Sequence, residues 1–349
     1  MLTSFRRSAA PRTGHRTGQH TGQHTDHRTD QRTSQRGAAI VTALLVVTLT
    51  TLIVSGLFWR TNVTVRSVEN RLALAQTHWV ERGVIDWARV VLQIDGATTR
   101  SDDLGETWAN PVLDTKLDET VTGGARIGDA SRSAVLAGQI YDAQARFNLN
   151  NLIEDTDGKM LQSLERLFEL AGQPTSMASV LRARVQQSYT RAIDGKLIPA
   201  TALPLLKVAD LRYVPGFTDN VIRAIEPYVI FLPLPVNLPG DGGASGQVFQ
   251  KTAVNVNTAE PVVLAALLPE LGLDGARRFV SQVRRQYATL DQATAAMGHE
   301  MSVPAGVLSV SSAYFLVRGV VRYDRVEDQT DTLLYRSGNR VDIVWQLRS

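Results

Sequence analysis

The chain contains no cysteine. Disulfide bridges, thiol catalysis and cysteine-bound zinc are therefore excluded. The absence does not decide the compartment, because a domain with a sufficient core is stable in the periplasm without bridges. With 349 residues, of which 44% are hydrophobic and 20% charged, the chain is long enough for two folded domains and a membrane segment.

Positive charge is also scarce once the first 36 residues are set aside. Those residues hold seven arginines against two aspartates, a net charge of +5, whereas the whole chain carries +3, which leaves −2 for the rest. A body without net positive charge is poorly suited to hold a phosphate backbone. The sequence pI of about 9.2 therefore does not indicate a nucleic-acid-binding protein.

Groups that carry catalysis are few. Only His78 and His299 lie beyond residue 36, and neither has the neighbours of a zinc helix or of a nucleophile elbow. The glycine-rich residues 240–246 match neither a dinucleotide fingerprint nor a P-loop and predict a linker. Residues 154–158 are acidic but lack the remainder of a calcium loop, which favours a turn. We predict that the chain is not an enzyme.

The first 36 residues repeat short runs of His, Arg, Thr, Gly and Gln with almost no apolar side chains. Such a segment cannot build a core and is expected to be a disordered, solvated leader. Metal binding is the alternative for its four histidines, which are His15, His20, His24 and His27.

Residues 38–59 carry no charge and lie between Arg36 and Arg60. As a helix this run is about 33 Å long, enough to cross a hydrocarbon core of about 30 Å. Trp59 and Arg60 suit the far interface, and the arginines ahead of Gly37 favour a cytoplasmic amino end. The alternative is a buried core helix, but so long an uncharged run predicts a single membrane span.

The junction Arg36-Gly37-Ala38-Ala39 resembles the prepilin-peptidase site of type IV pilins and type II secretion pseudopilins. The fifth residue after the cut, usually glutamate in those families, is Thr42 here. That departure is typical of one family, the minor pseudopilin K of type II secretion (general secretion pathway protein K). Residues 141–152, Tyr-Asp-Ala-Gln-Ala-Arg-Phe-Asn-Leu-Asn-Asn-Leu, closely resemble the same part of that family.

Beyond Arg60 the helix is predicted to continue to about Ile94 and to end at Asp95-Gly96. An apolar stripe at three-four spacing is expected to face a soluble domain; it comprises Val65, Val68, Leu72, Ala75, Trp79, Gly83, Trp87, Val90 and Ile94. Residues 96–138 suggest a long loop, and residues 138–152 have strand character. Residues 313–324, 332–336 and 340–348 predict a meander that covers the helix.

The predicted fold class is α+β, with a pilin-like transmembrane and amphipathic helix packed on an antiparallel sheet and a large inserted helical domain. Expected helices within the insertion are 158–171, 177–194, 204–211, 218–231, 261–271, 275–286 and 290–298. The predicted domains are a cleaved leader (1–37), a transmembrane segment (38–60), the amphipathic helix with the first part of the pilin-like domain (61–152), the insertion (153–304) and the C-terminal strands (305–349).

Residues 208–225 and 254–267 resemble helix-hairpin-helix modules, which grip DNA backbones in other proteins. Three cations near the first turn face three carboxylates, so a scaffold for protein contacts is favoured; the six residues are Lys207, Arg212, Arg223, Asp210, Asp219 and Glu226. The alternative function is a minor type IV pilin or competence pseudopilin that binds DNA through these modules.

The resemblance implies a bacterial inner-membrane protein with a single span and a periplasmic soluble domain. Prepilin peptidase would cut after Gly37 and methylate Ala38. Thr42, which cannot supply the usual carboxylate, would place the subunit at the pseudopilus tip, where it initiates assembly and supports export of folded proteins.

The partners that the resemblance implies are minor pseudopilins I and J, other pseudopilins, and secreted cargo or the outer-membrane channel, with no nucleic acid. No cofactor is expected apart from structural Ca²⁺, which the family can bind. Its candidate ligands are Asp102, Asp103, Asp114, Asp118 and Glu119.

Overall fold

The structure, a computed structural model, describes residues 32–117, 134–153, 155–193, 196–233, 236–237, 248–249, 251–282, 285–298, 303–323 and 326–348. The chain divides into two units, Met1–Ser67 and Val68–Ser349. Most of the predicted leader, the glycine-rich linker, Asp118 and Glu119 lie outside the described residues, so the predictions made for them stay predictions.

One helix, α1 (Arg32–Thr98), includes the uncharged run and continues into the second unit. It does not end at Gly96 as predicted, because helical hydrogen bonds continue from Thr99 N to the Asp95 carbonyl at 2.9 Å. Gly96 has a different role. A Cβ there would lie 3.1 Å from the Arg336 side chain, so the glycine leaves room for that side chain against the helix.

The remaining α-helices in the described part of the chain are short. They are α2 (Lys159–Leu170), α3 (Ser176–Gln186), α4 (Asp219–Ile225), α5 (Pro261–Leu267), α6 (Gly272–Val280) and α7 (Leu290–Ala296). The helices predicted over 177–194 and 218–231 are too long, because their Ile- and Val-containing ends form strands. The helix predicted over 204–211 is a 3-10 helix, Val208–Tyr213.

Thirteen strands are described, several of them two-residue bridges. They are β1 (Val112–Leu117), β2 (Ala134–Asp142), β3 (Phe147–Asn148), β4 (Arg191–Ile193), β5 (Lys196–Ile198), β6 (Val229–Ile230), β7 (Val236–Asn237), β8 (Val248–Phe249), β9 (Val254–Asn255), β10 (Leu308–Ser309), β11 (Tyr314–Tyr323), β12 (Val326–Ser337) and β13 (Arg340–Arg348).

Five of these strands form an antiparallel sheet in the order β1-β2-β11-β12-β13. The predicted C-terminal meander and the α+β fold class are confirmed. The long loop predicted over 96–138 is wrong, because β1 and the start of β2 lie in it. The residues of β1 lack a regular alternation of apolar and polar side chains, so sequence pattern did not reveal it.

The helical domain is an insertion between two neighbouring strands of this sheet. Strand β2 ends at Asp142, which pairs with Phe315 of β11, and α2–α7 all lie between them in the chain. The insertion has its own core, which includes Leu164, Phe168, Leu264 and Phe279. A separate core under α1 contains Ile85, Ala88 and Leu92 from the helix with Trp108 and Phe315.

The face of α1 that packs on the sheet differs from the predicted one. Buried positions on the helix are Ala73, Thr77, Glu81, Ile85, Ala88 and Leu92. Most of the predicted stripe is exposed, including Trp79 at 73% and Ile94 at 63%. The helix therefore has two apolar faces, of which its own sheet covers one.

Candidate functional site

The predicted cleavage junction lies within the helical part of the first unit. Gly37, Ala38 and Thr42 are exposed residues of α1. The Thr42 hydroxyl donates to the carbonyl oxygens of Ala38 and Ala39, each at 3.0 Å. Thr42 thus presents no charge and uses its hydroxyl hydrogen within its own helix.

The same helix is long and apolar enough to span a membrane. Within Gly37–Thr98, an 18-residue window has a mean hydropathy of 2.4, and none of that window is buried against the protein. Threonine hydroxyls in the window, including those of Thr48 and Thr51, donate to carbonyls four residues earlier. These bonds satisfy the hydroxyls where lipid offers no partner. The finding fits a single-pass anchor.

An apolar groove follows the exposed side of α1 in the second unit. Its volume is about 690 Å³. Trp79, Gly83 and Trp87 line it from the helix, and Leu136 and Ile140 line it from β2. Soluble proteins rarely leave such a surface open unless something binds there.

A buried polar network, which we name the root network, lies where the insertion joins the sheet. Its members are Asp102, Asp142, Asn255, Thr258, Ser312 and Arg336. At its centre, Asp142 Oδ2 accepts hydrogen bonds from Thr258 Oγ1 at 2.6 Å, Ser312 Oγ at 2.7 Å and Asn255 Nδ2 at 2.9 Å. The network therefore connects the end of β2 to Asn255 and Thr258 in the middle of the insertion and to Ser312, just before β11.

Arg336 on β12 connects this network to α1. Its guanidinium contacts Asp95 Oδ2 at 2.7 Å and Asp102 Oδ1 at 2.5 Å, and it donates to the Ser312 carbonyl at 2.9 Å. It also lies over the Phe315 ring, 4.7 Å from the centroid. With a side chain only 9% exposed, Arg336 is a buried charge that two carboxylates neutralise.

Burial raises the pKa of three acids in or near the root network, Asp142, Asp95 and Glu106. It raises the pKa of Asp142 to about 6, although the hydrogen bonds from Thr258 and Ser312 oppose the shift. It raises the pKa of Asp95 to about 6 as well, against the effect of the Arg336 hydrogen bond. The pKa of Glu106 is also raised by burial.

The described part of the predicted calcium site does not fit a calcium ion. Both oxygens of Asp102 have partners, since Oδ1 contacts Arg336 and Oδ2 accepts from Ser312 N at 2.7 Å. Asp103 Oδ1 accepts from Gly105 N at 2.7 Å and from Gln286 Nε2 at 3.0 Å. Asp95, Asp102 and Glu106 cluster closely, but the Arg336 guanidinium supplies their positive charge. The side chains of Asp114, Asp118 and Glu119 lie outside the described residues, and calcium there stays a prediction.

Residues 141–152, the segment that resembles pseudopilin K, form hydrogen bonds with residues on both sides of the predicted linker. Asn150 Nδ2 donates to the Leu232 carbonyl at 2.9 Å. The Asn151 side chain forms two 2.9 Å hydrogen bonds with the backbone of Thr252, one as donor and one as acceptor. Buried asparagine side chains nearly always have hydrogen-bond partners. These bonds explain why polar side chains occur here within a core.

The helix-hairpin-helix resemblance is only partly realised. A 3-10 helix, Val208–Tyr213, and α4 flank the turn at Gly216, which has a φ of +89°. The arginines are used locally, since Arg212 Nε donates to the Ala209 carbonyl and Arg223 Nη2 to Asn220 Oδ1. Asp210, Asp219 and Glu226 balance the three cations near this turn, so the hairpin has no net positive charge with which to hold a phosphate backbone.

The raised pKa of Asp142 predicts that the free energy of unfolding depends on pH. Its folded-state pKa of about 6 lies above the 3.8 of a free carboxyl, so between these values the folded protein binds more protons than the unfolded chain. The stability that this group contributes is fully present below about pH 4 and is lost as pH rises to about 6. We expect denaturant titrations at pH 4 and pH 7 to show a loss of about 2.4 kcal/mol from this group, which Asp142→Asn abolishes.

Asp274→Asn is the matched control, because that side chain is 84% exposed. It should leave the pH profile of the unfolding free energy unchanged. An Asp142→Asn profile that follows the parent chain would contradict the assignment.

The sequence analysis did not identify four members of the root network, which are Arg336, Asn255, Ser312 and the central residue Asp142. These residues come from separate stretches that only the tertiary fold brings together, so no spacing reveals them. The one available signal was composition, because Asp142 and Asn255 are polar residues in otherwise apolar or extended stretches.

Two family models match the chain. Both are described as "Type II secretion system (T2SS), protein K", and they match residues 145–234 and 254–311. Together they cover both sides of the predicted linker.

Curated relatives named "Type II secretion system protein K" match most of the chain. The protein from Pectobacterium carotovorum subsp. carotovorum is 25% identical over 339 residues, covering 88% of this chain and 94% of the relative. The protein from Pseudomonas aeruginosa is 29% identical over 249 residues, covering 66% and 67%. The protein from Aeromonas hydrophila is 23% identical over 325 residues, covering 86% and 92%.

The fold is similar to a solved structure, the crystal structure of the GspK-GspI-GspJ complex from the enterotoxigenic Escherichia coli Type 2 Secretion System. The TM-score is 0.60 at 19% identity, and the match covers 81% of this chain and 99% of the solved chain.

Proposed function

The chain belongs to the type II secretion system protein K family and is a minor pseudopilin, and from that premise we propose that it is the tip subunit of the pseudopilus. In this role it initiates assembly with minor pseudopilins I and J and supports export of folded proteins across the outer membrane. Its part is structural, through binding of other subunits.

The observation that supports the tip position is that residue 42 is a threonine whose hydroxyl is hydrogen-bonded within its own helix. In pseudopilins with glutamate at this position, the carboxylate is thought to pair with the amine of the subunit above. The Thr42 hydroxyl donates within its own helix and offers no carboxylate to a cationic amine in apolar surroundings. A subunit that cannot dock beneath another fits the end of the filament. The insertion between β2 and β11 adds bulk that supports the same position.

We propose that prepilin peptidase cuts after Gly37 and methylates Ala38. The cut leaves the apolar run on the mature subunit as its anchor. By the charge bias at the two ends of that run, the amino end of the span is cytoplasmic and the residues after Arg60 are periplasmic. Secreted cargo or the outer-membrane channel would then meet the tip from the periplasm.

We propose that a minor pseudopilin partner binds the exposed apolar stripe of α1 and the adjoining groove. Trp79 and Trp87 are exposed there, and the groove between α1 and β2 is lined almost entirely by apolar groups. Aromatic side chains next to a groove are the usual anchors of protein interfaces. The solved complex of similar fold contains GspI and GspJ, which indicates the class of partner.

Co-purification tests the tip assignment. The full chain, expressed with minor pseudopilins I and J of the same cell and extracted in mild detergent, is expected to yield one stable complex with one copy of each. The mass of this chain in the complex should equal that of a polypeptide whose first residue is a methylated Ala38. A major pseudopilin replacing I and J serves as the control and should not give that complex.

Failure of the three proteins to associate, together with salt-sensitive binding of duplex DNA, would instead support the DNA-handling alternative. The matches to type II secretion proteins give that alternative no support.

A further inference from the structure

A second group of metal-ligating side chains lies away from the root network, where α1 meets β12 and β13. His78 and Glu81 stand three residues apart on α1, and Asp328 lies on β12. One potential ligand atom from each residue lies within 4.8 Å of the other two. His78 is exposed, Glu81 is buried, and Asp328 is between these limits. His78 and Glu81 also line a groove of about 620 Å³ between α1 and β13.

The donor set determines which ion would bind. One imidazole with two carboxylates suits Zn²⁺ and its first-row neighbours, whereas Ca²⁺ and Mg²⁺ prefer oxygen ligands alone. Bonds of about 2.1 Å in a tetrahedral site place the ligand atoms about 3.4 Å apart. Because the ligand atoms all lie within 4.8 Å of one another, no pair has to close by more than about 4.8 − 3.4 = 1.4 Å, and His78 is exposed where such a movement is least hindered.

The existing contacts of Glu81 leave room for a metal bond. Oε1 accepts from Thr330 Oγ1 at 2.9 Å and Oε2 accepts from Arg348 Nη2 at 3.1 Å. Each carboxylate oxygen has a second lone pair. The Arg348 side chain is 47% exposed and can turn toward solvent. The site differs in this respect from the Asp95, Asp102 and Glu106 group, where Arg336 is buried between the carboxylates.

The two carboxylates lie close together, and the cation beside them, Arg348, pairs with Glu81 at 3.1 Å from a half-exposed position. A divalent cation between the two carboxylates would remove their repulsion.

We propose that His78, Glu81 and Asp328 bind one divalent transition-metal ion of the Zn²⁺ class, with a fourth position open to water. The ion joins α1 to β12 at the part of the helix that follows the membrane span. This site does not depend on the tip assignment.

Zinc titration of the full chain in detergent tests the proposal. Histidine-rich tracts in general take up Zn²⁺, so all variants are made in a chain in which the leader histidines His15, His20, His24 and His27 are asparagine. Calorimetry is expected to show one equivalent of Zn²⁺ bound, with affinity at least tenfold lower in His78→Ala and in Asp328→Asn. Glu69→Gln, an exposed acid on the same helix, is the matched control and should leave the affinity unchanged.

Cobalt provides a readout independent of affinity. Co²⁺ added to the parent chain should give the visible absorption of a four-coordinate ion, and His78→Ala should lose it. Zn²⁺ should also raise the melting temperature of the parent chain but not of His78→Ala. Zinc uptake that is equal in the parent chain and in both ligand variants would overturn the proposal. Displacement of bound Zn²⁺ by millimolar Ca²⁺ would also overturn it.

Discussion

Arg336→Ala is expected to lower the free energy of unfolding by about 3–5 kcal/mol. The substitution removes a guanidinium that contacts Asp95 at 2.7 Å and Asp102 at 2.5 Å. Both acids then remain in a buried site without a countercharge, which costs more than the lost attraction alone. Denaturant titration followed by fluorescence of buried Trp108, which packs against Phe315, measures the change.

The matched control is Arg340→Ala. Arg340 also pairs with an aspartate, Asp342 at 2.8 Å, but its side chain is 79% exposed. Solvent screens such a pair, so a change within about 0.5 kcal/mol is expected.

A triple variant separates buried charge from lost packing. Arg336→Met combined with Asp95→Asn and Asp102→Asn removes all three charges and keeps most of the volume. It should recover at least half of the stability lost in Arg336→Ala. Equal losses in Arg336→Ala and Arg340→Ala would show that the root network does not depend on the buried cation.

The elements that the sequence predicted well are those in which one local pattern decides the structure. Residues 38–59 carry no charge, and only a helix satisfies their backbone in lipid. Strands β11 and β13 alternate apolar and polar residues and were predicted close to their observed bounds. Strand β12 was predicted only over 332–336, because its first half, Val-Glu-Asp-Gln-Thr-Asp, is polar and is held in the sheet by pairing with β11.

The packing face of α1 could not be predicted from periodicity. The stripe through Trp79 and Ile94 is more apolar than the face through Thr77 and Glu81, yet the sheet covers the second face. Glu81 is buried because Thr330 and Arg348 bind its carboxylate, and both belong to strands more than 200 positions away. Local hydrophobicity cannot report a partner that distant in sequence.

The root network was missed for the same reason. Asp102 was a candidate calcium ligand because the family resemblance implies calcium in this acidic loop, whereas its partners in the fold are Arg336 and Ser312. A carboxylate that faces a fixed guanidinium and one that faces a metal ion look the same in a sequence. Only the tertiary fold shows which cation is present.

Replacing both Trp79 and Trp87 with alanine is expected to weaken the proposed complex with minor pseudopilins I and J by about 30-fold or more. Trp79 is 73% exposed and Trp87 45% exposed, so the chain itself gains little from either ring. A tryptophan that becomes buried at an interface commonly contributes 2 kcal/mol or more to binding, and 1.4 kcal/mol corresponds to a tenfold change in affinity. Titration of the detergent-solubilised chain with the purified I and J pair measures the affinity.

Tyr213→Ala is the matched control, because Tyr213 is an aromatic residue 76% exposed on the inserted domain. It should leave the affinity unchanged if the partner binds α1. A second variant, Gly83→Trp, tests the groove by obstruction. A Cβ at Gly83 meets no other atom within 4 Å, and Gly83 lines the groove of about 690 Å³, so a tryptophan there would occupy space that a partner needs. It should weaken binding as strongly as the double alanine variant. If Tyr213→Ala weakens binding while the three α1 substitutions do not, the partner binds the inserted domain, and the exposed stripe of α1 has another occupant.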